Sequence, residues 1–177
     1  MMANTALLVI DLQNDYFPGG NYPLWHANET LKKVQKAISN AQQQKMPVIF
    51  IQHVANAENG TAPFFNKGTK GVQLHSALKD IAASSHLVVK QFADSFEQTD
   101  LALVLEELTV DSLLICGMMT QNCVTHTAIS KSAESYEVAV ISECCTTVDE
   151  MIHKIALNGL SPRVPLLSIE EAFKPNQ

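Results

Sequence analysis

Positive charge is scarce. The 177 residues hold 12 Lys and Arg against 18 Asp and Glu, a formal charge of -6 and a pI near 5.4. A chain that neutralises a phosphate backbone needs a basic stripe, and none is present, so nucleic acid is excluded as a partner and an anionic membrane surface with it. No stretch approaches the roughly 18 apolar residues that span a bilayer. The opening "MMANTALLVIDLQNDYF" has neither a basic n-region nor a small-residue cleavage site and does not read as a signal peptide. The four cysteines, Cys116, Cys123, Cys144 and Cys145, lack the spacing of a zinc site, and the last two are adjacent. A reduced, cytoplasmic setting is the expectation. A glycine-rich phosphate turn is missing too: the first apolar run leads into "DLQNDYFPGG", and "NKGTKG" does not match a phosphate loop.

What remains is a globular composition. Hydrophobic residues make up 46% and charged ones 17%, with mean hydropathy +0.04, and the length suits a single domain over 1–177. Six short apolar runs recur: "TALLVID" (5–11), "PVIFIQH" (47–53), "SHLVVK" (85–90), "DSLLICG" (111–117), "YEVAVIS" (136–142) and "VPLLSI" (164–169). Each is near-continuous, which is how strands buried on both faces of a parallel sheet read. Leu31, Val34, Ile38 and Ala41 recur at helical spacing and predict a helix of about four turns, closed by Pro47. "TDLALVLEEL" predicts another, capped by Thr99 or Asp100. A third is expected from Val124 to Ala133, and "DEMIHKIALNGL" predicts a fourth that meets Gly159 near its end. Strand and helix alternating in this way predict a three-layer α/β/α domain around a six-stranded, mostly parallel, Rossmann-like sheet. The connector from Ala55 to Gly71 has no period. It reads either as a functional loop or as a surface excursion anchored by Phe64 and Phe65.

In an open α/β sheet, ligands bind beyond the carboxyl ends of the strands. Asp11 ends the first run, Lys90 ends the third, and Cys123 follows the fourth by six residues. A thiol reacts as thiolate and needs a base, a nearby cation or a helix N-terminus. Asp11 would take its proton, Lys90 would stabilise the anions, and the helix opening near Thr120 would add its dipole. The thiolate would attack a carbonyl carbon, with backbone N–H groups of the 118–123 turn receiving the oxyanion. Taken singly, each residue has a bland role: a turn aspartate, a solvated lysine, a buried inert cysteine.

The words around these residues add to their positions. "ALLVIDLQNDYF", "VVKQFADSFEQTDL" and "ICGMMTQNCVTHTA" closely resemble the signatures of the isochorismatase-like cysteine hydrolases, a superfamily that includes nicotinamidases, N-carbamoylsarcosine amidase and isochorismatase. "GTKGVQLHSAL" and "SECCTTVDEMIHKIAL" look like that family's intervening blocks, so the resemblance spans nearly the whole chain. It implies a catalytic triad of Asp11, Lys90 and Cys123, a cis peptide joining Met118 to Met119, and an oxyanion hole from the N–H groups of Met119 and Cys123. It also implies a homo-oligomer, dimer or tetramer.

Substrate is a separate question. Nicotinamidases carry an Asp-x-His pair after the second strand and a further His, which bind a metal. Here the sequence is "IFIQHVANA", leaving His53 without the aspartate, and no metal and no cofactor are expected. His53 and His75 sharing a metal is the sharper reading; a structural or hydrogen-bonding role is the expected one. The expected activity is hydrolysis of a C–N bond in a small amide, ureido or carbamoyl compound through a thioester. The alternatives are vinyl ether hydrolysis of the isochorismatase type, or a non-catalytic nucleotide- or small-molecule-binding module. Phe17, Trp25, Phe64, Phe65 and Phe92 flank the motifs and are the candidate pocket wall, with core packing as the alternative for each. Gln13 and Asn14 are expected to tie the loop after the first strand. Cys116 is expected to be buried, and His126 is a weaker candidate base for Cys123 than Asp11.

Overall fold

A computed structural model describes residues 4–174. The near-continuous apolar runs form six strands, β1 (Thr5–Ile10), β2 (Val48–His53), β3 (His86–Lys90), β4 (Ser112–Met118), β5 (Glu137–Thr146) and β6 (Leu166–Leu167). They lie in the order β3-β2-β1-β4-β5-β6, and every strand pair is parallel. Among the described residues six α-helices accompany them: α1 (Ala27–Gln43), α2 (Lys79–Ala83), α3 (Leu101–Glu107), α4 (Thr125–Ala128), α5 (Glu150–Leu160) and α6 (Ile169–Ala172).

Alternation along β1 sorts the core into two halves. Leu7 and Val9 pack with Leu31, Val34 and Ile38 of α1 and Ile169 of α6 on one face. Ala6, Leu8 and Ile10 pack with Leu101 and Leu105 of α3, Val124 and Leu160 of α5 on the other. Both faces of the central strand are therefore dry, which explains its unbroken apolar run. Its fit to β4 depends on Gly117, where φ is 126° and an added Cβ would lie 2.1 Å from the Ile10 carbonyl oxygen.

The chain runs outward from β1 through β2 to β3, then returns to β1's other side for β4, β5 and β6. The carboxyl ends of β1 and β4 thus flank the point where the winding reverses. That crevice is where α/β sheets place ligands.

Candidate active site

Three side chains meet in this crevice. Asp11 follows β1 directly, and its φ of 54° breaks the strand's alternation, so that the carboxylate reaches the β3 and β4 side. Aspartate tolerates this left-handed conformation better than most residues. Cys123 sits in a π-helical turn, Thr120–Val124, which leads into α4. The turn is braced at its start, where Thr120 Oγ1 lies 2.8 Å from His153 Nδ1 of α5 and Thr125 Oγ1 donates to the Thr120 carbonyl at 2.6 Å. Lys90 ends β3, two strands from β1. At about 4.8 Å per strand this gap is closed only by a long side chain.

The lysine closes it. Lys90 Nζ lies 3.0 Å from Asp11 Oδ2 and donates to Cys123 Sγ at 3.1 Å and to the Phe92 carbonyl at 3.1 Å. His53 Nδ1 stands 3.1 Å away. Asp11 is 0% exposed, Lys90 1% and Cys123 2%. The approach of Lys90 to Asp11 is an ion pair off the hydrogen-bonding direction, and neither carboxylate oxygen has a well-directed donor. The carboxylate therefore keeps capacity for a proton. Burial, then the Asp11 charge, push the Cys123 thiol above its ordinary range, while Lys90 pulls it down without overcoming them. The thiol rests protonated. Burial works against the Lys90 ammonium, but the Asp11 charge beside it, with the Cys123 sulfur as a further acceptor, outweighs it and its pKa is raised.

Among the described residues, one group of carboxylate, imidazole and thiol is close enough to share a metal: Asp11, His53 and Cys123, with ligand atoms within 4.8 Å of one another. The Lys90 ammonium already lies 3.0–3.1 Å from one such atom of each. These donors fit the resident organic cation. His75 stands apart: its Nδ1 accepts from Ala77 N at 3.2 Å and its ring stacks on Phe17 at 4.4 Å. The bond between Met118 and Met119 is cis.

The five aromatic candidates divide. Phe65 is buried and lies 5.9 Å from the His53 ring, and Phe92 brings its carbonyl to Lys90 while its own ring is exposed. Phe64 packs on Phe65 and Tyr22. Trp25 contacts His26 and His153, beside the braced turn. Phe17 joins the core with His75. His126 is exposed and forms no bond to Cys123. Cys116, Cys144 and Cys145 are buried free thiols.

Two residues near the chemistry escaped the sequence reading as site groups. Tyr16 is buried, and burial, then the Asp11 charge, drives its hydroxyl far above the ordinary range, so it stands near them as a neutral phenol. Its signal was an aromatic five residues past Asp11. His53, expected to have a structural or hydrogen-bonding role, ends β2 as Lys90 ends β3, and the two are register partners.

Fold and site together define a three-layer α/β hydrolase. A family model, the Isochorismatase domain, matches residues 5–171. The chain is 36% identical over 143 residues, 81% of its length and 78% of the relative's, to the uncharacterized isochorismatase family protein YddQ of Bacillus subtilis (strain 168). It is 28% identical to the nicotinamidase of Escherichia coli (strain K12), covering 84% and 85% of the two chains. An isochorismatase-like hydrolase from Alkaliphilus metalliredigens superimposes with a TM-score of 0.85 at 25% identity, over 97% and 98% of the chains. A cysteine hydrolase from Pseudomonas syringae pv. phaseolicola 1448A shares the fold, with a TM-score of 0.87 at 20% identity over 97% and 91%. The chain belongs to the isochorismatase family of hydrolases.

Proposed function

We propose that the protein is a cysteine-dependent hydrolase that cleaves the C–N bond of a small amide, ureido or carbamoyl compound. The observation that carries this reading is the buried ammonium held between carboxylate and thiol, Lys90 Nζ being 3.0 Å from Asp11 Oδ2 and 3.1 Å from Cys123 Sγ.

A carbonyl carbon placed against Sγ draws the thiol proton to Asp11 as the C–S bond forms, while Lys90 balances the displaced charge. The oxyanion that results takes hydrogen bonds from the N–H groups of Met119 and Cys123. Its collapse breaks the C–N bond, and the Asp11 proton leaves on the amine. Water then gives a proton to Asp11 and its oxygen to the thioester carbon. The thiolate departs and recovers that proton. Amide and water go in; acid and amine come out.

Phe65, whose ring lies 5.9 Å from His53, and the Phe92 segment, whose carbonyl meets Lys90, are the parts of the aromatic set that reach the cluster. The reading is tested with a panel of small amides, ureas, carbamoyl compounds and nicotinamide, with a vinyl ether included, assayed with wild type and Cys123→Ala. C–N turnover with an acyl adduct on Cys123, both lost in the variant, is expected. Equal turnover by the two proteins would refute the thiol as nucleophile.

A further inference from the structure

We infer that His53 is a positioning residue of this site, a neutral imidazole whose Nδ1 accepts from the Lys90 ammonium and fixes that ammonium on the thiol through the whole reaction. The inference rests on the cysteine-hydrolase reading above.

The argument begins with proton count. An ammonium has three protons, and three acceptors stand 3.1 Å from Nζ, Cys123 Sγ, His53 Nδ1 and the Phe92 carbonyl, with Asp11 Oδ2 as a fourth neighbour paired by charge at 3.0 Å. Two of the four change charge during catalysis, since the thiol becomes thiolate and the carboxylate becomes acid. The other two, the imidazole and the carbonyl, stay as they are. Only these can anchor Nζ while Asp11 and Cys123 exchange a proton, and of the two only His53 is a side chain.

The fold gives His53 that place. β2 lies between β3 and β1, so the residue ending β2 stands between Lys90 and Asp11. Its backbone is gripped at both polar atoms by the buried Gln13 side chain: Gln13 Nε2 donates to the His53 carbonyl and His53 N donates to Gln13 Oε1, each at 2.8 Å. With the main chain fixed, the ring has one acceptor to offer Lys90. Acceptance requires Nδ1 to be bare and the proton to sit on Nε2. Protonating Nδ1 would set two cations face to face. The charged and polar groups around the ring agree: burial and Lys90 lower the pKa, while Asp11 and the Phe92 carbonyl oppose without prevailing.

Two measurements test this. In protein labelled with 15N-histidine, the His53 ring, assigned with His53→Asn, is expected as the neutral Nε2–H tautomer at neutral pH. It should titrate below the ordinary histidine range, moving upward in Lys90→Met. An Nδ1–H tautomer or an imidazolium at neutral pH would overturn the inference. The second measurement is the rate at which iodoacetamide alkylates Cys123, followed by mass spectrometry with folding checked by circular dichroism. His53→Phe, which keeps the volume and loses the acceptor, should react roughly tenfold more slowly than wild type, as expected for losing a hydrogen bond to a charged group. His53→Asn, whose amide oxygen replaces Nδ1, should restore most of the rate. If Lys90→Met is slowed and His53→Phe is not, His53 has no positioning role and the parent reading stands. If Lys90→Met also reacts like wild type, the ammonium does not serve the thiol and both fall.

Discussion

At the scale of residues, Lys90 is the group most exposed to loss. Removing one partner of a buried pair leaves the other charge without compensation, a loss of about 3–5 kcal/mol. Lys90→Met should therefore unfold at a markedly lower urea concentration than wild type at neutral pH, with Asp11 left buried and without its cation. A variant as stable as wild type would show that the buried Asp11 carboxylate is not what Lys90 compensates. In the wild type the sign is the ordinary one for a cation: the Lys90 pKa is raised above 10.5, so its contribution is complete at neutral pH and fades only as pH rises through the raised value.

At the scale of elements, two segments hold the site in shape. Asp15, buried in the turn after β1, accepts from Phe65 N at 2.7 Å and from Asn21 N at 3.1 Å. Its carboxylate also occupies the space that a Cβ at Gly71 would need. This one side chain ties the aperiodic connector to the turn that follows β1. Asp15→Ala should cost at least about 1.5–3 kcal/mol, the loss of one hydrogen bond to a charged acceptor, since the buried bond from Phe65 N goes and that from Asn21 N goes with it, and hydrogen exchange should accelerate in the 61–73 segment ahead of the strands. Uniform acceleration would mean that Asp15 supports the fold at large. Gly117→Ala is the more severe change: its Cβ would meet the Ile10 carbonyl at 2.1 Å in a backbone conformation that L side chains avoid. Thermal melting should fall well beyond the roughly 1 kcal/mol of an average substitution, with Cys123 alkylation impaired in whatever folds.

These elements also show how far the sequence was legible. The six strands were readable because β1, β2 and β4 are dry on both faces and carry unbroken apolar runs. β5 runs four residues past the expected end, to Thr146, because the pairing with β4 shifts between Ile115 and Gly117 and re-forms at Cys145 and Thr146. A bulge of that kind leaves no mark on hydropathy. The helix expected from Val124 to Ala133 is only Thr125–Ala128, because Val124 still belongs to the π-helical turn that carries Cys123 and a 3-10 turn, Lys131–Ser135, replaces its second half. The strand-end rule placed Asp11, Lys90 and Cys123 on one rim, where each also has a bland reading, and it was the resemblance of the surrounding motifs that joined them as a triad. The same rule applied to β2 points to His53, for which a hydrogen-bonding role is expected; its partner is not legible, because nothing in the sequence says that a lysine from the next strand reaches it.

At the scale of the whole molecule, the sheet has one poorly covered edge. β3 is terminal in the strand order, and its alternate side chains Leu87 and Val89 are 46% and 49% exposed, with Phe92 at 42% just beyond. α2, the helix on that side, is five residues long and covers only part of the strand. A bare apolar edge invites association, and natural chains usually blunt it with charge or cover it. No charged side chain of β3 does so here: Lys90 is turned inward to the site. The expected cover is a second copy of this chain. Light scattering behind size-exclusion chromatography at tens of micromolar should give a dimer or larger, and Leu87→Glu with Val89→Glu should give a monomer with an unchanged circular dichroism spectrum. A wild type that elutes as a monomer would reject the interface. The consequence reaches the chemistry, because the Phe92 carbonyl on this edge is one of the two uncharged contacts that hold Lys90. Freed of its cover, that carbonyl would hold the ammonium less firmly, and the monomeric variant should alkylate Cys123 more slowly although neither substitution touches the site.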